Sequence, residues 1–197
     1  MSRLAICIVA AGLAAPVSAA PESFTIDPYH TFPYFTVNHL GYTNFIGRFD
    51  KTTGKISLDA AAKSGTVELV VETASLTTGD NDRGTRPRTR DEHLRSPDFF
   101  NVAEFPRMTF KGKTARWTGE MPGAIEGEVT LLGVTKPLNL TVESFKCGPD
   151  PRTQGKRYMC GGNAAGTIKR SDFGMKFGVG PVSDEIKLYI AIEAFRD

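Results

Sequence analysis

The chain has 197 residues, with 24 basic and 22 acidic side chains and a formal net charge of +2. A nearly neutral balance argues against nucleic acid and against a strongly anionic membrane surface as binding partners. The length suits one domain with a sizeable hydrophobic core, and no internal repeat or long low-complexity linker divides it.

The first segment has the features of a secretory signal peptide. Arg3 supplies a positive start, residues 4–15 form an uncharged run of apolar and small side chains, and Val17-Ser18-Ala19 fits a small-residue cleavage site. We therefore predict removal of residues 1–19, which deletes the charge of Arg3, and a periplasmic mature protein of residues 20–197. The alternative is an uncleaved anchor, which the short apolar run disfavours. No later stretch is apolar enough to form a stable membrane span.

Period-2 alternation of apolar and polar side chains dominates the mature chain. The alternating apolar positions are, in chain order, Phe24 and Ile26, Phe35 and Val37, Ile56 and Leu58, Val67, Leu69 and Val71, Met108 and Phe110, Ile125, Val129 and Leu131, Leu138, Leu140 and Val142, and Ile186, Leu188, Ile190 and Ile192. One buried face and one solvated face is typical of antiparallel strands. Turn-forming residues separate the runs, so the pattern predicts one all-β domain of about eight strands, either a closed barrel or a sandwich.

One segment between the strands departs from this alternation. Residues 88–95 are densely charged and predict a short helix or helical turns. Ser96 is expected to cap a second turn with Pro97 at its first position, and Phe99 and Phe100 follow as an aromatic pair that must be buried. We predict a helical cover laid against the sheet near residues 88–100, preceded by an exposed excursion.

Two cysteines remain after the loss of Cys7, namely Cys147 and Cys160, on either side of a loop rich in Gly and Pro. In an oxidising compartment they are predicted to form a disulfide, which would stabilise the fold by about 3 kcal/mol. Two free thiols are the alternative. A metal site is not expected, because no further cysteine or histidine lies at ligand spacing.

An eight-stranded barrel can be filled by its own side chains or can hold one slender ligand. The chain has 13 phenylalanines, many of them near strand ends and connections, and a tunnel lined by flat rings would suit a hydrocarbon chain. Composition alone does not separate such a tunnel from a solid core.

Seven blocks of the chain, taken in order, carry a resemblance to a known family. They are Ile26-Asp27-Pro28-Tyr29-His30, Val37-Asn38-His39-Leu40-Gly41-Tyr42, Gly47-Arg48-Phe49, Ala74-Ser75-Leu76-Thr77-Thr78, the run from Arg90 to Phe100, Gly133-Val134-Thr135-Lys136-Pro137 and Lys169-Arg170-Ser171-Asp172-Phe173-Gly174-Met175. Together these blocks resemble the YceI-like family of secreted lipid-binding proteins. The resemblance extends from Phe24 to Ala194. Two departures are the long excursion of residues 79–89 and the cysteine pair, and both lie in connections.

The resemblance implies a lipocalin-like antiparallel barrel that holds a polyisoprenoid, such as a polyprenyl phosphate, a quinone tail or another long amphiphile. The residues expected to line the tunnel and its mouth are Phe35, Val37, Val67, Leu69, Leu94, Phe99, Phe100, Phe110, Trp117, Val129, Leu131, Leu140, Phe173 and Leu188. For any single one of them, plain core packing is an equally good interpretation, since every barrel needs inward apolar side chains.

The polar candidates are fewer. Guided by the resemblance, we expect His39, His93 and Arg95 near the head group of the ligand. The alternative for the histidines, including His30, is hydrogen bonding in turns at the barrel ends. A trio of metal-binding histidines is disfavoured by their spacing.

Catalytic interpretations have little support in the sequence. There is no Gly-x-Ser-x-Gly nucleophile motif, and the mature cysteines are expected to be paired. Asp91, Glu92 and Asp98 are interpreted as members of surface ion pairs. Arg170 is expected to pair with Asp172.

The sequence thus predicts a periplasmic, non-enzymatic carrier or sequestering protein for a long-chain isoprenoid lipid, without a cofactor. The alternative is a structural or stress-protective domain with a filled barrel and no ligand, and a lipid-modifying enzyme is a third, weaker interpretation. A mouth lined by phenylalanines would be compatible with a homodimer.

Overall fold

The computed structural model describes residues 20–197, so the predicted signal peptide lies outside the described residues. The strands are β1 (Glu22–Ile26), β2 (Phe32–His39), β3 (Thr43–Phe49), β4 (Thr52–Asp59), β5 (Ser64–Glu72), β6 (Leu76–Thr77), β7 (Arg107–Thr118), β8 (Met121–Leu131), β9 (Val134–Pro149), β10 (Tyr158–Lys169) and β11 (Glu185–Arg196). One α-helix, α1 (Arg90–Arg95), and 3₁₀ turns at Thr73–Ser75, Pro151–Thr153 and Arg170–Phe173 complete the elements. No helix among residues 20–197 is long and apolar enough to cross a membrane.

Eight of the strands form a closed antiparallel barrel, in the order β1-β4-β5-β7-β8-β9-β10-β11 and back to β1. The predicted all-β barrel is therefore confirmed, and the alternative of a two-sheet sandwich is wrong. Closure pairs every edge of the ring, which satisfies the backbone groups that an open sheet would expose.

Strand β11 has two different neighbours along its length, and this divides the barrel into two halves. Near its C-terminal end it pairs with β1, through Ala194–Arg196, and β1 pairs directly with β4. Along 187–191 it pairs instead with β2, which continues into β3. We call the end around Phe24, Cys160 and Ala194 the packed half, and the end where β2 and β3 join the wall the cavity half.

The packed half has a continuous core. Phe24 and Ala194 have no exposed surface, and Cys160 is 2% exposed. The inward residues of three neighbouring strands share one row there, because Val67 pairs with Ile56 and Ile56 pairs with Phe24. Alternation places these side chains on the inward face of the barrel, where they form the core of this half.

The ring of Phe110 lies across two paired glycines at the inner wall. A Cβ added at Gly112 or at Gly127 would come within about 3 Å of that ring, 2.9 Å and 2.7 Å respectively. Both positions must therefore be glycine for the ring to lie flat. Phe35 covers its register partner Gly47 in the same way.

The predicted helical cover is present but shorter than expected. Helix α1 starts at Arg90, where Thr89 and Glu92 form a capping box. Ser96 ends this helix and caps the turn of residues 97–100 as predicted, because its Oγ accepts a hydrogen bond from the backbone N–H of Asp98 at 3.4 Å. The cover is attached to the barrel by side-chain hydrogen bonds, because Arg95 donates to the carbonyl oxygens of Ala74 and Leu76.

The predicted disulfide joins Cys147 of β9 to Cys160 of β10, which are register partners. Both ends of the described chain also lie in the packed half. Arg196 Nη1 is 2.8 Å from Glu22 Oε1, and the Asp197 carboxylate accepts hydrogen bonds from Ser23 and Lys55. This end of the barrel is thus stabilised by the disulfide, by ion pairs and by the hydrogen bonds between β1 and β11.

Candidate ligand-binding cavity

A cavity of about 480 Å³ occupies the cavity half of the barrel. Its wall consists mainly of inward apolar side chains of the barrel strands and of β2, β3 and the cover. It reaches the surface beside Arg86, which is exposed, and Phe177, which is 50% exposed. The described residues of the barrel therefore enclose a hollow in the cavity half.

Most of the predicted tunnel residues line this cavity. They are Phe35, Val37, Leu69, Leu94, Phe99, Phe100, Phe110, Val129, Leu131, Leu140 and Leu188, and the head-group candidates His39 and His93 also lie on the wall. The structure brings these residues together, and their contact with a ligand stays a prediction.

Three predicted tunnel residues lie elsewhere. Val67 is 7% exposed and lies in the packed half, two residues before Leu69 on the same face of β5. Trp117, at the far end of β7, packs against the core from its edge, and Phe173 is 2% exposed in the last 3₁₀ turn. Because none of them borders the cavity, their positions do not support the ligand-binding role that we expected.

Sequence reasoning missed a group of apolar wall residues. They include Phe45, Phe49, Met108, Leu138, Met175, Phe177, Ile186 and Ile190. Several belong to strands whose inward face was identified correctly, so the alternation itself could have found them. Phe45 and Phe177 could not be found in this way, because their place on the wall depends on β3 and on the loop that precedes β11.

The mouth of the cavity carries an aromatic cluster of Phe99, His93 and Phe177. The ring centroids of His93 and Phe99 are 4.9 Å apart, those of His93 and Phe177 are 5.0 Å apart, and those of Phe99 and Phe177 are 5.4 Å apart, all edge to face. Phe100 instead packs inward, with its centroid 5.4 Å from that of Phe49. The aromatic pair of the cover thus has one rim residue and one core residue.

Arg95 does not face the cavity, contrary to expectation. Its guanidinium hydrogen-bonds the carbonyls of Ala74 and Leu76, so its place is between the cover and β6. Its role in the structure is to hold α1 against the barrel. This position does not support the predicted contact with a head group.

Arg170 is a cavity residue that the sequence did not assign to the site. It is 3% exposed and donates four hydrogen bonds to backbone carbonyls, those of Met175, Phe177, Val182 and Ser183. The expected ion pair with Asp172 is absent among residues 20–197. Burial lowers the pKa of Arg170 from its ordinary value, but an arginine guanidinium stays charged in proteins.

Two further arginines, Arg86 and Arg90, line the cavity from the excursion and from α1. Arg90 Nε donates to Thr78 Oγ1 at 2.8 Å, and its guanidinium carbon lies 4.4 Å above the ring of Phe45. A signal for Arg90 was present in the sequence. The capping box fixes the helix start, and residues three and four apart share a helix face, which places Arg90, His93 and Leu94 together.

The acidic residues of the cover serve structural roles. Asp91 is buried and accepts hydrogen bonds from Thr78, which differs from the surface ion pair that we expected. Asp98 bonds Arg88 and His93, and these hydrogen bonds, that of Arg88 first, hold the pKa of the Asp98 carboxyl below its usual range. Glu92 caps the helix.

The Asp80 carboxylate ties the excursion to α1. It accepts hydrogen bonds from Nη1 and Nη2 of Arg86, at 2.8 and 2.7 Å, and from the backbone N–H of Arg90 at 2.8 Å. These bonds, led by that of Arg86, hold the pKa of Asp80 well below its usual range. The excursion of residues 79–89, which is one of the two departures from the family pattern, thus places the guanidinium of Arg86 on the cavity wall.

One cluster in the described residues has the atom types of a metal site. Ligand-type atoms of Asp27, His30 and Glu193 lie within 4.8 Å of one another, at the packed end. His30 Nδ1 is already 2.8 Å from Asp27 Oδ2, and Arg152 Nη2 is 3.5 Å from Glu193 Oε2. Each group therefore has an internal partner, which agrees with the hydrogen-bonding alternative for His30.

The fold and the order of the motifs agree with one protein family. A model of the YceI-like domain matches residues 24–194. The chain belongs to the YceI-like family. A UPF0312 protein of Shewanella baltica is 34% identical over 197 residues, with 98% of each chain covered.

Solved structures show the same architecture. A YceI protein of Campylobacter jejuni superposes with a TM-score of 0.62 at 28% identity, over 81% of this chain and 90% of that one. A polyisoprenoid binding domain from Saccharophagus degradans superposes with a TM-score of 0.57 at 16% identity, over 89% and 99%. At that lower identity the likeness supports the fold alone.

Proposed function

We propose that this YceI-like protein binds a long-chain isoprenoid lipid in the barrel cavity and acts as a periplasmic carrier or sequestering protein. The observation that supports this proposal is the cavity of about 480 Å³ with a mainly apolar wall. Ligand sites of small molecules have volumes of roughly 300–1,000 Å³ and are lined mostly by apolar and aromatic side chains.

Such a cavity suits a chain more than a polar solute. Each buried CH₂ group contributes about 0.8 kcal/mol before ordering costs, so a long hydrocarbon can bind tightly with few polar contacts. The polar groups lie near the mouth, where Thr78, His93 and the arginines are found. This distribution would place the chain inside and the head group at the rim.

One solved structure with this fold suggests the class of ligand. The Saccharophagus domain is a polyisoprenoid binding domain, and its barrel has the same fold as this chain. For this chain an isoprenoid ligand remains our proposal. The disulfide supports the compartment, because disulfides persist in oxidising compartments such as the periplasm.

Two other functions have less support. A structural domain with a completely filled barrel does not agree with the cavity. A lipid-modifying enzyme would need a reactive group on the wall, and the carboxylates of the cover, Asp91, Glu92 and Asp98, are all engaged in structural hydrogen bonds. We therefore propose a binding protein and not an enzyme.

The test is to purify the protein from the periplasm, extract it with organic solvent and identify bound lipid by mass spectrometry. We expect about one polyprenyl molecule per protein and uptake of added polyprenol by protein that has been stripped of lipid. Absence of a bound chain in repeated preparations, together with no uptake, would overturn the proposal. A lipid that is chemically changed on incubation would favour the enzyme.

A matched pair of substitutions locates the lipid. Val37→Trp adds bulk at the cavity wall on β2, whereas Val70→Trp adds the same bulk on the outer face of β5. We expect Val37→Trp to abolish lipid uptake and Val70→Trp to leave it unchanged. Loss of uptake in both variants, with both folded by circular dichroism, would place the lipid elsewhere.

A further inference from the structure

We propose that the lipid carries an anionic head group, a phosphate or a carboxylate, which is bound at the cavity mouth by Arg90 in the positive field of Arg170. This inference rests on the proposed lipid-binding function and specifies the ligand. A neutral head group, such as a quinone or a free alcohol, is the alternative that the test must separate.

The charge of the wall is one-sided. Among the described residues that line the cavity there are three arginines and two histidines, and there is no aspartate or glutamate. Arg86 is neutralised by its two bonds to Asp80, and His93 is paired with Asp98 behind the wall. Two positive charges on the wall, those of Arg90 and Arg170, have no such partner among residues 20–197.

Arg170 is a cation held rigidly in place. Its four hydrogen bonds go to carbonyl dipoles, and no carboxylate in the described chain lies within 4.0 Å of it. Asp184 lies close enough to favour the charge, but its oxygens accept from the backbone N–H and the hydroxyl of Ser171. Because no carboxylate is in direct contact with this buried guanidinium, an anion in the cavity would be attracted by its charge.

Arg90 has the free donors that an oxyanion needs. Nε is used by Thr78, and the face of the guanidinium lies over Phe45. The two terminal nitrogens have no hydrogen-bond acceptor within the described part of the chain. A guanidinium fixed in this way can bind two oxygens of a phosphate or a carboxylate side by side.

The two arginines are connected around the mouth. Arg170 Nη2 donates to the carbonyl of Val182, Val182 forms a bridge with His39, and His39 contacts Phe45 edge to face at 5.2 Å. Phe45 lies under Arg90. An oxyanion bound by Arg90 at this rim would therefore lie on the same cavity wall as the charge of Arg170.

The experiment compares ligands that differ only in the head. Protein stripped of lipid is titrated by calorimetry with geranylgeraniol, geranylgeranyl monophosphate, the carboxylic acid of the same chain, and inorganic phosphate alone. We expect at least one anionic lipid to bind about 10-fold to 100-fold more tightly than the alcohol, since hydrogen bonds to charged groups are stronger than neutral ones. Inorganic phosphate should bind far more weakly than the anionic lipid.

Substitution of Arg90 tests the assignment. Arg90→Gln should remove most of the preference for the anionic lipid, measured as the ratio of its affinity to that of the alcohol, and circular dichroism shows that the variant is folded. Arg107→Gln, an exposed arginine of β7 outside the cavity, is the matched control and should keep the preference. Higher salt should weaken binding of the anionic lipid more than binding of the alcohol.

The titrations distinguish a failure of the head-group inference from a failure of the proposed lipid-binding function. Equal affinity for the alcohol and both anionic lipids, or a preference that survives in Arg90→Gln, would overturn the head-group inference and leave lipid binding intact. Phosphate that binds alone as tightly as the lipid phosphate would also overturn it, because the site would then bind free phosphate. Failure of every chain lipid to bind would overturn the proposed function itself.

Discussion

The two halves of the barrel are built from the same alternating strands, yet one is solid and the other is hollow. In the packed half a single strand, β1, lies between β11 and β4. In the cavity half β11 is followed by β2 and β3, and the cavity wall contains residues of these two strands but none of β1 or β4. The inward side chains of this half leave a cavity of about 480 Å³ between them.

The difference teaches where function can reside in such a fold. In the packed half Phe24 and Ala194 have no exposed surface, and the disulfide lies at this end. The cavity half places large side chains around an empty volume and is covered by a segment that is held by side-chain hydrogen bonds. Stability and ligand binding are thus expected to be separable by position.

The largest expected effect comes from one phenylalanine in each half. Phe24→Ala, in the packed half, should lower the free energy of unfolding by about 3–5 kcal/mol and leave lipid retention per folded molecule unchanged. Phe99→Ala, at the rim, should do the reverse, with marked loss of retained lipid and little loss of stability. Urea unfolding and lipid extraction measure the two properties. Equal loss of lipid in both variants would show that the rim phenylalanine is ordinary core.

A pair of leucines sharpens the same comparison with smaller effects. Leu58→Ala, near the end of β4 in the packed half, and Leu140→Ala, on the cavity wall, delete the same atoms from similarly buried positions. Leucine truncations cost about 2–5 kcal/mol, depending on how closely the neighbouring side chains pack around the deleted atoms. We expect Leu58→Ala to cost more, since Leu140 already borders empty space. The reverse order of unfolding free energies would mean that the cavity half is the better packed one.

The smallest effect is a pH dependence of the cover. The lowered pKa of Asp98 means that its bonds to Arg88 and His93 stabilise the fold fully above its ordinary pKa of 3.8. That contribution is lost as the pH falls through the lower pKa of the folded state. We expect the protection of the α1 amides against hydrogen exchange to fall as the pH drops below 3.8, before protection falls in β1. Asp98→Asn should weaken this dependence, and a dependence of equal size in the variant would assign it to another group.

The sequence was sufficient for the faces of the strands but not for depth along the barrel. Leu69 and Val67 lie on the same face of β5 and cannot be told apart by alternation. Their difference arises from register, since Val67 lies level with Phe24, whereas Leu69 pairs with Gly54, one residue beyond the last pair of the β1–β4 ladder. Register is set by all neighbouring strands together, so no local pattern contains it.

The charged residues show a second limit. Asp172 lies two residues after Arg170 in the sequence, and a local ion pair was the simplest interpretation. The fold instead surrounds its guanidinium with carbonyls from residues 175–183, whose path is determined by tertiary contacts. Arg90 was accessible to reasoning, because the capping box and helical spacing place it beside His93.

The positions of the chain ends bear on how this protein can be handled. Glu185 begins β11 near the mouth, and Arg196 ends it about 35 Å away along the strand, beside Glu22. A tether, affinity tag or sensor surface joined at either end of the described chain would therefore hold the molecule by its disulfide-linked end. The cavity mouth would face the surrounding solution, where the entry and release of a lipid can be followed directly.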